Sequence, residues 1–220
     1  FTVDEAIYLF LNFPSTIITT ISLSLTIIIL SRLKDPVLFL YLKYESIFIL
    51  FDCFVFLLIP IYKCQSCFPN LDPYMQHLID YFGFNFFSDI FETSSLFMSN
   101  FAALSCLFVM NSSQKTPRYW SFLIKINPLF IAIGVFAYSF LINSYQIFAY
   151  FQIDCQHDMN STWIDCNWFG YFKSPPYNAL MLASFILDYG ILVLILIFIN
   201  GLIVIKIRRS LGEKSIVLKT

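Results

Sequence analysis

Residues 191–209 read ILVLILIFINGLIVIKIRR, a run of apolar residues followed at once by basic ones. The apolar part is too long for a core strand and suits an α-helix that crosses the hydrocarbon of a bilayer. A lipid-facing barrel strand would alternate polar and apolar residues, and this run does not. The stretch therefore predicts a transmembrane helix with its basic end in the cytosol, where Lys and Arg accumulate.

Similar runs recur along the whole chain. Hydrophobic residues make up 59% of the 220, and only 12% are charged, which is about half the charged share of a soluble domain. We predict an all-α polytopic transmembrane bundle, a single domain over residues 1–220. Its five predicted spans lie at residues 7–31, 37–61, 82–110, 122–142 and 179–205.

The distribution of charge predicts the orientation of these helices. Of the 13 Lys and Arg, only Lys63 and Lys173 fall on the side opposite the basic C-terminal tail. The N-terminus is therefore expected outside the cell. Two acids, Asp4 and Glu5, precede the first span where a signal peptide would carry basic residues, so we interpret this span as a true transmembrane helix. The absence of an initial Met favours a fragment.

Cysteines fall into two groups. Cys53 and Cys106 lie within spans, where they are expected to pack as small apolar residues. The others lie in the outer loops and are disulfide candidates with three possible pairings: Cys64, Cys67, Cys155 and Cys166. Zinc held by the Cys64 pair with His77, or with His157 beside Cys155, is the less favoured alternative. We predict no metal and no cofactor.

Four acids lie inside the predicted spans, where ionisable residues are costly and tend to face a polar interior: Asp52, Asp89, Glu92 and Asp188. Small and polar residues also recur at helical spacing along the third span and form one stripe that is expected to face the bundle: Asn85, Ser88, Asp89, Glu92, Ser95, Ser99, Ala102, Ala103 and Cys106. We predict ligand binding by Asp89, Glu92 and Asp188. The competing interpretations are that these acids are protonated and bonded to neighbouring helices, or that Asp89 lies at the water boundary. Glu45, beside Lys43, is expected to form a surface pair or to extend its carboxylate to the membrane interface.

Three segments resemble rhodopsin-like G protein-coupled receptors. Residues 198–210, FINGLIVIKIRRS, resemble the fifth helix and its basic exit in that family. The stretches 93–104 and 25–42 resemble the inner half of its third helix and the turn between its first two helices. The resemblance covers the whole chain as helices one to five of a seven-helix fold, with an extracellular ligand between the helices and a heterotrimeric G protein inside.

The chain also departs from the family. Where the family carries an acid, an Arg and an aromatic residue at the inner end of its third helix, this chain has Ser105, Cys106 and Leu107. The family's acid in the second helix aligns with Ile49, one turn from Asp52, and the usual proline of the fifth helix has no counterpart near Gly190. These differences count against the family's ionic switch and its sodium-linked site.

Our leading hypothesis is a divergent chemosensory or peptide receptor in the plasma membrane. Its cytoplasmic coupling face is predicted at four basic residues: Lys115, Arg118, Arg208 and Arg209. Two alternatives remain: a small transporter or channel subunit that uses the intramembrane carboxylates, and a nonsignalling truncated receptor. No nucleotide loop, nucleophile motif or metal-binding His pair is present in the sequence, so neither an enzyme nor nucleic-acid binding is predicted.

The topology predicts which of two N-glycosylation sequons is used. Asn160 should carry a glycan because its loop faces the lumen, whereas Asn111 should stay bare in the cytosol. In microsomal translation, Asn160→Gln should remove a glycosidase-sensitive mass shift that the matched variant Asn111→Gln retains. The opposite result would invert the orientation.

Overall fold

A computed structural model describes residues 7–33, 37–58, 79–111, 126–146, 155–157, 164–166 and 175–217. Six α-helices lie in these ranges: α1 Phe13–Arg32, α2 Val37–Leu57, α3 Ser88–Asn111, α4 Pro128–Asn143, α5 Pro175–Phe185 and α6 Ile191–Val217. Three π-helical segments run directly into the helices that follow them: Tyr8–Asn12 before α1, Ile79–Phe87 before α3, and Ile186–Gly190 between α5 and α6.

Three helices in the described part of the chain are long and apolar enough to cross a membrane. They cover Phe10–Arg32, Tyr81–Met110 and Ile191–Arg208, lengths of roughly 34, 45 and 27 Å at a rise of about 1.5 Å per residue. The first two closely match the predicted spans 7–31 and 82–110, and the third overlaps the predicted span 179–205 from residue 191 onward. Their apolar composition and their lengths, close to or above the roughly 30 Å of hydrocarbon in a bilayer, indicate a membrane-associated protein.

The other two predicted spans, at α2 and α4, are less suited to cross a membrane by their charge or length. α2 has 21 residues but carries Lys43, Glu45 and Asp52, more charge than lipid readily accepts on one helix. α4 has 16 residues, or roughly 24 Å, which falls short of the hydrocarbon thickness without flanking residues. A bundle of five spans is therefore not established by these helices.

The predicted start of the fourth span, at residue 122, is wrong. α4 begins at Pro128, where the ring removes no needed N–H, and the Asn127 side chain accepts a hydrogen bond of 3.0 Å from the Leu129 N–H. An Asn cap followed by Pro is a strong local start signal. Hydropathy alone placed the boundary too early because the apolar run extends past this cap.

The described architecture is helical, as predicted, and one short strand pair lies outside the helices. β1, Cys155–His157, pairs antiparallel with β2, Ile164–Cys166, in the connection between α4 and α5. The register sets Cys155 opposite Cys166. Each strand has three residues, so the pair is a local feature of the connection between α4 and α5 and does not change the helical architecture.

α3 is the central helix, because it packs against α2, α4 and α6. A buried core joins α2, α3 and α4 through Tyr41, Met98, Ala102, Ala132 and Val135. Phenylalanine rings extend this junction: Phe91 of α3 stacks on Phe51 of α2 and on Phe136 of α4, and Phe136 in turn stacks on Phe48. Stacked aromatic pairs add to simple contact area.

α1 shows how a polar-looking helix can face lipid. None of its residues is buried, and Ile18 and Ile29 are more than half exposed. Seven Ser and Thr hydroxyls in this helix donate to backbone carbonyls three or four residues earlier. The hydroxyls are thereby satisfied inside the helix, which is what a medium without water demands.

Met98 provides a test of the core. It is fully buried, so Met98→Ala should leave a cavity and lower the free energy of unfolding by about 2 kcal/mol or more. Leu194→Ala on the exposed face of α6 should have little effect, since that side chain is 68% exposed. Reversible unfolding in bicelles measures both, and equal losses would show that Met98 is not in a packed interior.

Candidate functional site

Hydrogen bonds from side chains connect α3 to each neighbouring helix. Near the N-terminal end of α3, the half-buried Asp89 accepts a hydrogen bond of 2.7 Å at Oδ2 from Nε2 of Gln146, just beyond α4. The same nitrogen lies 3.5 Å from Oδ1 of Asn143. Tyr81 donates its hydroxyl to the Gln146 carbonyl at 2.6 Å. Asp89 is therefore held in a polar junction between α3 and α4.

Gln146 is the most informative residue of this junction. Its side chain is buried, and its Oε1 finds no hydrogen-bond partner among the described residues. Because Oε1 and Nε2 share one amide carbon, this oxygen lies beside the Asp89 carboxylate. Burying an acceptor without a partner costs free energy. A hydrogen-bond donor that reached Oε1 of Gln146 would therefore stabilise the junction.

Glu92 lies one turn below Asp89 on α3. Its Oε2 accepts a hydrogen bond of 3.2 Å from the hydroxyl of Tyr189, in the π-helical segment between α5 and α6. Asp188 precedes Tyr189 in that segment, and only its backbone position is described. π-helical turns are rare and often occur at functional sites. Two of the three predicted ligand residues, Asp89 and Glu92, thus contact different neighbours of α3.

Two further carboxylates face α3 from α2. Oδ1 of Asp52 accepts from the Ser88 hydroxyl at 2.5 Å, and Oε1 of Glu45 accepts from Ser99 at 2.6 Å. The surface pair expected for Glu45 is replaced by this contact between helices. Neutral donors serve all four of the acids Glu45, Asp52, Asp89 and Glu92 in these contacts. Their bonds extend along α3 for several turns.

The most buried polar residues of α3 were not all in the predicted stripe. Thr93, Ser94 and Asn100 are almost fully buried, whereas Asn85 and Glu92, both in the stripe, are exposed. Asn100 explains the difference, since its Nδ2 donates to the Leu192 carbonyl of α6 at 3.2 Å. A central helix has partners on more than one side, so its polar residues do not follow a single stripe.

The arrangement places several carboxylate acceptors along α3. In the part of the chain that the structure describes, no group of three or more His, Cys, Asp or Glu side chains is placed to hold a metal ion. Carboxylates held by neutral donors keep a net negative charge when ionised, which attracts a cation into the bundle. Four residues complete the site and were missed in the sequence because they carry no formal charge that marks them in an apolar segment: Tyr81, Asn143, Gln146 and Tyr189.

The remaining predicted site residues lie apart from this junction or outside the described ranges. Arg208 is exposed on α6, and for Arg209 only the backbone is described. Cys155 and Cys166 lie in the paired strands, and their bonding stays a prediction. Cys53 is buried and Cys106 partly buried, and both are free thiols. Five residues lie outside the described ranges: Cys64, Cys67, Lys115, Arg118 and Asn160.

No known family model matches this chain, and no curated protein is significantly similar to it.

The α2–α3 contact can be measured by a double-mutant cycle. Ser88→Ala and Asp52→Asn should couple by about 0.6–1.7 kcal/mol, the range found for hydrogen bonds between membrane helices. Ser95→Ala is the matched control because its hydroxyl donates to the carbonyl of Glu92 in its own helix. The coupling free energy is measured by unfolding in bicelles. A coupling of Ser88 with Asp52 no larger than that of Ser95 with Asp52 would show that the Ser88–Asp52 hydrogen bond does not stabilise the packing of α2 on α3.

Proposed function

We propose that this chain forms the first five helices of a divergent rhodopsin-like membrane receptor that binds an extracellular ligand between its helices. The observation that carries the proposal is the junction of Asp89 and Gln146, with Glu92 and Tyr189 beside it, at the outer half of the central helix. Ligand sites between helices combine apolar walls with a few placed polar groups. The resemblance of residues 198–210 to the exit of the family's fifth helix supports the same class.

In this proposal the ligand acts on the contacts of α3. A ligand that donates hydrogen bonds to Asp89 and Glu92 competes with Gln146 of the α4 end and with Tyr189 beside α6. Loosening these contacts changes how α3 packs against its neighbours, and a shift of packed helices is a common way to carry a signal. The inner ends of the helices, with the basic residues Arg208 and Arg209, would meet a heterotrimeric G protein at the plasma membrane.

G protein coupling can be tested in vesicles. The chain, reconstituted with purified heterotrimeric G proteins, should accelerate exchange of GDP for GTP. Arg208→Ala with Arg209→Ala should reduce the rate more than Lys214→Ala with Lys219→Ala, which removes the same charge from the tail beyond them. The receptor proposal fails if no G protein responds. Equal losses of exchange rate in the two double variants would show that positive charge in general matters and that Arg208 and Arg209 do not form a coupling face.

A second candidate function is favoured by the carboxylates on α2. Asp52 and Glu45 extend the hydrogen-bonded acids from the outer junction along α3, as a proton or cation path requires. The same vesicles, loaded with a pH-sensitive dye, separate the two functions. A proton flux that Glu92→Ala abolishes, without nucleotide exchange, would favour a transporter or channel subunit over a receptor.

A further inference from the structure

The connection between α4 and α5 contains a strand pair whose register sets two cysteines opposite each other. β1 and β2 are antiparallel, and their register has three pairs of opposite residues: Cys155 with Cys166, Gln156 with Asp165, and His157 with Ile164. The cysteine pair is the outermost of the three, because it is the farthest along the chain from residues 158–163, which join the strands. It therefore lies at the base of the hairpin.

The backbone spacing of an antiparallel pair suits a disulfide bond at this position. Directly opposite residues have Cα atoms roughly 4.5 or 5.5 Å apart, depending on whether they exchange backbone hydrogen bonds, and they share one face of the pair. A disulfide bond requires Cα atoms roughly 4.4–6.8 Å apart. Both kinds of opposite pair meet this requirement, so Cys155 and Cys166 can be bridged without movement of the backbone.

A disulfide bond at the base would also stabilise the hairpin. Each strand has only three residues, and an isolated two-stranded hairpin is marginally stable in water. A bond between the outermost residues keeps the strands from separating at their open end. It also restricts the unfolded chain to a closed loop of residues 155–166, which lowers the entropy that folding must overcome.

The register distinguishes among the pairings that the sequence left open. Four cysteines allow three pairings, and two of these join the α4–α5 connection to Cys64 and Cys67, which lie outside the described ranges. The third pairing lies within the α4–α5 connection. It alone joins the two cysteines that the described backbone sets opposite each other.

We propose that Cys155 and Cys166 form a disulfide bond across the base of this hairpin. The two thiols lose two protons and two electrons as the S–S bond forms. The oxidant is a thiol–disulfide oxidoreductase of the secretory lumen in its disulfide form. One Cys thiolate attacks that disulfide to give a mixed disulfide, the second Cys displaces the oxidoreductase, and the oxidoreductase leaves as a dithiol. The bond requires this connection to face the lumen, as predicted for Asn160, and is independent of the receptor proposal.

The methionines of the chain allow the bond to be mapped without any substitution. Cyanogen bromide cleaves after Met, and Met159 lies between the two cysteines. Cleavage at Met110, Met159 and Met181 gives fragments 111–159 and 160–181, each with a single cysteine. The full chain is made in oxidising microsomes, its free thiols are blocked with N-ethylmaleimide, and any glycan is removed. Mass spectrometry should find the two fragments linked without reductant and separate after reduction.

Single substitutions identify the partners of the bond. Cys155→Ser should release fragment 160–181 with maleimide on Cys166, because that thiol has lost its partner. Cys64→Ser and Cys67→Ser are the matched controls, and both should leave the linked fragments unchanged. The same cleavage and mass spectrometry measure all three variants.

A further set of variants tests the register itself. In a chain that carries Cys155→Ser and Cys166→Ser, Gln156→Cys with Asp165→Cys should form a bond, because these two residues are also opposite each other. Gln156→Cys with Ile164→Cys is the matched control. A displacement of one residue places its two positions on opposite faces of the strands, so its linked product should be about tenfold less abundant.

Three results would overturn the proposal. Fragment 1–75, which contains Cys64 and Cys67, linked to either of the two single-cysteine fragments would show a bridge between the two outer connections. Both single-cysteine fragments free, each with maleimide on its cysteine, would show that the strands pair without a disulfide bond. Equal bond formation in the opposite and the displaced double variants would show that the register does not determine the pairing.

Discussion

The constraint on which this structure depends is the absence of water as a hydrogen-bond partner inside lipid. Every polar group on a membrane helix must then find a partner within the protein. α1 meets the requirement alone, because its hydroxyls bond its own carbonyls. α3 relies on its neighbours, with one contact to Gln146 beyond α4 and others to Asp52, Tyr189 and the Leu192 carbonyl, although Oδ1 of the buried Asn100 has no partner among the described residues. The first strategy leaves a helix free to face lipid, and the second requires a bundle around it.

This difference gives the bundle its organisation. A helix with acids on several faces is stable in lipid only when other helices surround it, so α3 lies among α2, α4 and α6. The aromatic junction around Phe91 and the buried core around Met98 fill the space between the polar contacts. The same polar contacts that assemble the helices also hold the carboxylates of Asp89 and Glu92 near the N-terminal end of α3.

Much of the fold could be predicted from the sequence, because a long apolar run identifies a helix in lipid regardless of its partners. The runs around Ile21 and Ile199 are of this kind. The start of α4 was placed too early because the apolar run begins before the helix does. Asn127 as the N-cap and Pro128 as the first helical residue mark the true start. The strand pair at Cys155 was missed because segments of three residues carry almost no periodic signal. π-helical segments depend on packing and have no pattern of their own.

The candidate site was less predictable than the fold. Asp89 and Glu92 could be named because charge is unusual in an apolar segment, but their partners could not. Gln146 and Tyr189 are distant in sequence from α3, and no pattern in a single chain pairs residues across helices. The side chain that best indicates a ligand, Gln146, is neutral and lies just beyond its helix. Its significance follows only from its burial and from the oxygen that it leaves without a partner.

The accessibility of spin labels in a bilayer tests the central claim most directly. Labels at Ile18 and Ile29 of α1 should be reached by oxygen, which dissolves in lipid, and not by a water-soluble nickel complex. Labels at Ser94 and Met98 of α3 should be shielded from both, because these side chains are fully buried. Nickel reaching α1, or oxygen reaching α3 as readily as α1, would contradict a bundle in lipid built around a central polar helix.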